Sequence, residues 1–117
     1  MQAWHVLDHG EPPVRVEIAA PTPAKGEIVV RVEAIGLNFA DMLAIQGKYQ
    51  VRQTPPFIPG MELSGVVDTL GPGVSGPPVG TRVLATCSAG ALAERICLPA
   101  QRLTPLPAEM GFEEAAG

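Results

Sequence analysis

Apolar positions along this chain fall into short runs, mostly of period two, each closed by glycine or proline. The clearest run is Ile28 to Leu37, where Ile28, Val30, Val32 and Ala34 alternate against Val29, Arg31 and Glu33. That spacing predicts a strand with one face in the core and the other at least partly wet. Gln2 to Leu7 and Val14 to Ala20 read as two strands around an Asp8-His9-Gly10 turn, which together suggest a hairpin. Leu63 to Leu70 is apolar on both faces around Val66 and Val67, as expected for a strand buried on both sides. Thr81 to Ala85 and Leu92 to Leu98 add two more strands. From Asn38 the period lengthens, so that Phe39, Met42 and Leu43 share one face of a short helix that Gly47 lets stop. At the far end, Pro107 to Gly117 reads as a helix N-terminus with Glu109, Glu113 and Glu114 suited to its positive end. A helix of one or two turns with nothing to pack on is marginal in water, so the pattern breaks off inside an element.

Thirteen prolines and thirteen glycines punctuate these runs and are not concentrated in one tract, which is turn chemistry in a β-rich fold and not disorder. The 117 residues suit one domain with one core. A net charge of -4, with eight Lys and Arg and no basic cluster, argues against nucleic acid or anionic lipid as a partner. No run approaches the length of a membrane span, and the N-terminus lacks the order of a signal peptide, so a cytoplasmic location is expected. In that compartment Cys87 and Cys97, with no metal-ligand spacing between them, read as packing residues and not as a disulfide. His5, in a strand, and His9, in a turn, join no visible constellation. Gly71 to Gly76 spells G-x-G-x-x-G, but Pro77, Pro78 and Gly80 follow and a strand comes next. A dinucleotide fingerprint must open a helix, so this is a turn between strands.

The residues able to do chemistry gather between Gly36 and Val67. Asn38 and Asp41 imitate a capping box, so both have a structural use at the positive helix end beside any chemical one. Tyr49 is the only phenol in the chain and donates a hydrogen bond at pH 7; a half-buried aromatic with a wet tip is its bland alternative. Pro55, Pro56 and Pro59 stiffen the loop that follows, which lowers the entropy lost when it is fixed against core or ligand.

Together GLNFAD, an aromatic a few residues later, and PPFIPGMELSGVV resemble the zinc-independent quinone oxidoreductases, the zeta-crystallin-like branch of the medium-chain dehydrogenase/reductase superfamily. The likeness runs from MQAWHVLDHG to MGFEEAAG. It implies a GroES-like fold for residues 1–117, a distorted, partly open β-barrel with short helices that serves as the catalytic domain. It also implies a parent protein roughly three times as long, whose nucleotide-binding Rossmann domain is absent from this chain. The implied activity is NADPH-dependent reduction of quinones or conjugated carbonyls. In zinc-dependent relatives a Cys begins the word matching NFAD and a His sits inside the word matching GME. This sequence has Asn38 and Met61 there, poor zinc ligands both, so no metal is expected.

By the same resemblance Asn38, Asp41 and Tyr49 line the cleft beside the nicotinamide, as catalytic and cofactor-contacting residues. Tyr49 and the Asn38 amide would donate to the substrate oxygen, and Asp41 would orient Asn38 or a water. Some members carry a second tyrosine where this chain has Leu43, which puts a two-tyrosine site in doubt. Glu62 is expected to pair at the strand start, and Pro55-Pro56 matches a place where relatives carry a cis bond. The chain alone is expected to be inactive and to self-associate through an exposed apolar seam, and the intact protein to dimerise. The alternative from another class is a non-catalytic GroES-like binding or interaction module.

Overall fold

The computed structural model describes residues 1–37, 39–48 and 54–116, without the side chain of Phe39. Among the described residues seven strands, two short α-helices and one 3-10 turn follow one another. Strands β1 (Gln2–His5) and β2 (Val14–Glu17) form an antiparallel pair with Ala3 opposite Val16 and Trp4 opposite Arg15. The connection is longer than the expected turn. Val6 leaves the hairpin to exchange both backbone hydrogen bonds with Phe57, and Gly10 donates to the Ile45 carbonyl at 3.0 Å.

The main sheet has the order β6-β3-β4-β5-β7, all neighbours antiparallel, with β3 at Glu27–Gly36, β4 at Glu62–Leu70, β5 at Arg82–Thr86, β6 at Arg95–Pro99 and β7 at Thr104–Pro105. The sheets do not close on themselves. The fold is therefore mainly β, a distorted and partly open barrel, as the family resemblance implied and in agreement with the strand pattern. Its core is Ile28, Val30, Leu63, Val67, Val83, Ala85, Ala91, Ile96, Leu98 and Leu103. Because aliphatic residues stand at alternate positions on adjoining strands, antiparallel register stacks them into one apolar layer.

Two details depart from the simple alternation. Val29 is buried, although it belongs to the face expected to be wet. A register shift between Val29 and Val30 rotates the strand locally, and Arg31 and Glu33 beyond it emerge as a surface ion pair at 3.1 Å. The strand expected from Leu92 begins only at Arg95, because Leu92 donates instead to the Pro59 carbonyl and Glu94 to that of Gln2. The turn at Gly71 to Gly80 joins β4 to β5 and opens no helix, so the glycine pattern there is loop chemistry.

Helix α1 (Phe39–Ile45) follows β3 as expected, but its inward face differs. Met42 is exposed while Asp41 and Ala44 are buried. A seven-residue helix held at its end by Gly10 has its orientation set by its neighbours, not by its own weak amphipathic pattern. Helix α2 (Phe112–Ala116) starts later than expected, since Pro107 to Met110 form a turn and Glu109 precedes the helix. It is not unsupported, because it packs on β3, β4 and β5 with Ala116 buried. No helix among the described residues is long and apolar enough to cross a membrane.

Candidate functional site

β3 ends at Gly36, the chain passes through exposed Leu37, and α1 carries Asp41 in its first turn. Asp41 is only 2% exposed, one of two polar side chains among the buried residues. Its place in the first turn of the helix fits the structural use expected of it at the positive helix end. Asn38 and Tyr49, the other two expected site residues, lie outside the described residues.

The second wall is Pro59 to Glu62, and it is fixed residue by residue. Leu92 donates to Pro59 at 2.9 Å, Ala91 to Gly60 at 3.2 Å, and Cys87 to Met61 at 2.8 Å. Gly60 has φ +106°, and a Cβ there would lie 2.9 Å from both the Ala91 Cβ and the Leu92 nitrogen. Only glycine meets both conditions, so the PGME word is cast by its backbone. Upstream, the Pro55-Pro56 bond is cis, as the resemblance implied; Gly76-Pro77 is cis as well. Glu62 opens β4, with its backbone in register with Gly36 on one side and Thr86 on the other.

Cys87 joins the site in a way the sequence did not disclose. Its thiol donates to the Gly60 carbonyl at 3.4 Å and packs against the core. Burial pushes this thiol up from its ordinary value of 9.0; the peptide groups of Ala89 and Ala91 and the Arg102 charge pull it back, and the Asp41 carboxylate adds to the rise. Asp41, Cys87 and Arg102 therefore share one electrostatic neighbourhood. Cys87 is a packing residue, as expected, yet it also fastens the glycine of the central loop. The register of β4 with β5, which brings Thr86 opposite Glu62, is the signal that would have found it. Cys97 is free too and alternates along β6 with buried Ile96 and Leu98; it lines the same surface depression as Cys87, with Arg102 also on its rim. Among the described residues no three His, Cys, Asp or Glu side chains converge as a metal-binding group would.

The partly open antiparallel barrel with short helices is the frame on which Asp41 and the Pro59 to Glu62 segment are carried. Residues 24–108 match the family described as the alcohol dehydrogenase GroES-like domain, and the chain belongs to that family. It is 42% identical over 98 residues to the human synaptic vesicle membrane protein VAT-1 homolog-like, covering 84% of this chain and 23% of that protein. It is 39% identical over 105 residues to the Bos taurus quinone oxidoreductase-like protein 2, covering 89% and 30% respectively. Among solved structures, the human VAT-1 homolog-like protein superposes with a TM-score of 0.95 at 37% identity, over 99% of this chain and 38% of that one. The Thermus thermophilus quinone oxidoreductase, solved alone and with NADPH, gives 0.87 at 45% identity over 99% and 36%. The chain thus resembles the quinone oxidoreductases of the medium-chain dehydrogenase/reductase superfamily, as its sequence words implied, and the VAT-1 homologues, which they did not. It spans roughly a quarter of the human VAT-1 homolog-like relative, 23%.

Proposed function

We propose that this chain is the catalytic-domain portion of an NADPH-dependent reductase of quinones or conjugated carbonyls that works without zinc. The likeness to the Thermus thermophilus quinone oxidoreductase, solved with NADPH, carries the reading, because that protein is 45% identical to this chain over 99% of this chain's length. NADPH, when bound, supplies the hydride. The described residues offer no cradle for its pyrophosphate, since the one glycine-rich turn opens no helix. In keeping with the family resemblance, the phosphates and adenosine would sit on a Rossmann domain outside residues 1–117, and only the nicotinamide end would meet this domain.

The chain's own residues have three tasks. The Tyr49 phenol and Asn38 amide donate hydrogen bonds to the substrate oxygen as negative charge gathers on it. Fixed donors in a dry cleft serve this end without a metal. Asp41, an acceptor buried at the first turn of α1, orients the Asn38 amide or a water. Met61 and Asn38 stand where zinc-dependent relatives place His and Cys, and no other group of metal ligands gathers among the described residues. A location in the cytoplasm and dimerisation of the longer protein complete the proposal.

Relatives named for a synaptic vesicle membrane protein, 42% identical to this chain, favour a second reading as a non-catalytic binding module. Tyr49→Phe separates the two. In the longer protein the catalytic reading expects kcat for quinone reduction to fall roughly 10²-fold. An unchanged rate, or a parent protein that never reduces quinones, would transfer the weight to the binding module.

A further inference from the structure

The two walls of the site share one support, and it comes from the far end of the chain. Gly36, the last residue of β3, leads into Leu37 and the NFAD word; Glu62, its register partner, closes the PGME word. Where they meet, a Cβ built on Gly36 would fall 2.0 Å from the Ala116 carbonyl oxygen of α2 and 3.0 Å from Glu62 Oε2. No side chain fits, and the obstacle is backbone.

α2 is held at that junction by a separate set of contacts. The Arg82 guanidinium donates to the carbonyls of Met110 and Ala108 and lies 4.8 Å from the centre of the Phe112 ring. The hydroxyl of Ser64, fully buried, donates to the Phe112 carbonyl at 2.5 Å. Leu106 donates to the Arg82 carbonyl at 2.9 Å. Residues 106–116 thus form a strap across β3, β4 and β5, clamped by Arg82 and Ser64 and seated on Gly36.

We infer that Gly36 and Arg82 are positioning residues for the proposed site, which set the spacing of its two walls by holding the strap against the β3–β4 junction. This role rests on the reading of the loop as the site but requires no catalysis to be observed. Displacing the strap should loosen Met61 and Glu62, and with them the contacts that Cys87 makes to Met61 and Gly60.

The two thiols give the readout. Cys87 touches the site wall, whereas Cys97 sits in β6 opposite Val29, away from the strap's contacts. The rate at which each reacts with an aromatic disulfide reagent is followed by mass spectrometry on peptides, in the wild-type chain, Gly36→Ala and Arg82→Gln. Gly36→Ala is expected to speed Cys87 by roughly tenfold or more, the ratio that overpacking by one methyl carries, and Arg82→Gln to speed it in the same direction by loss of the clamp, with Cys97 nearly unchanged in both. Arg82→Gln releases the strap without adding a group to β3, so agreement between the variants assigns the effect to the strap. Equal acceleration of both thiols would mean general loosening and overturn the inference. So would unchanged Cys87 kinetics in Arg82→Gln. Since no turnover is read, failure here is distinct from failure of the reductase reading.

Discussion

At the scale of single residues, the site is defined by groups whose position admits no substitute. Gly60 combines φ +106° with a would-be Cβ 2.9 Å from Ala91. Gly60→Ala is therefore expected to cost about 1–3 kcal/mol, seen as a lower urea midpoint with an unchanged slope. Cys87 makes a pH-dependent contribution whose sign follows from its burial. The folded chain keeps the thiol proton at pH values where the unfolded chain, at about the ordinary 9.0, has released it. Stability should then fall as pH rises above that value through the folded one, and this loss should be missing from Cys87→Ala when the two denaturation profiles are subtracted. A difference that is flat with pH would contradict the assignment of burial as the cause. The residue types were legible in the sequence, since Asp41, Gly60 and Glu62 stand in recognisable words. Cys87 was not, because nothing along the chain places it against Met61 until β4 and β5 are paired.

Elements are legible in proportion to how much of their burial they decide for themselves. β3 through β6 carry aliphatic runs that must find a core, and their expected and observed ranges differ by only a few residues. β7, only Thr104 and Pro105, has no such run and pairs because Leu103 anchors beside it in the core. α1 falls where its spacing put it, but Met42, on the shared apolar face, is exposed while Asp41 and Ala44 are buried, since one short helix cannot outweigh the loop that Gly10 and Ile45 tie to it. This difference has a direct test. Met42→Ser should shift stability by less than about 0.5 kcal/mol, whereas Leu63→Ala, at a fully buried position of β4, should cost about 2–5 kcal/mol. A large penalty at Met42 would restore the face that the sequence pattern suggested. α2 shows the complementary case, in which a helix too short to stand alone is held by Arg82, Ser64 and the bare backbone at Gly36.

For the molecule as a whole, the described residues build the GroES-like fold from one five-stranded sheet, a hairpin and a strap, and the family match runs over residues 24–108. What the sequence conveyed best was this whole, through the NFAD and PGME words and the alternation that brackets them. The chain spans only 23% and 30% of the two relatives compared, and the proposed function is that of a protein of their length. The most direct test is the quinone-dependent oxidation of NADPH by the longer protein, measured with and without a strong zinc chelator. The account predicts turnover that the chelator leaves unchanged. Turnover abolished by the chelator and restored by zinc, or NADPH binding without any turnover, would contradict it.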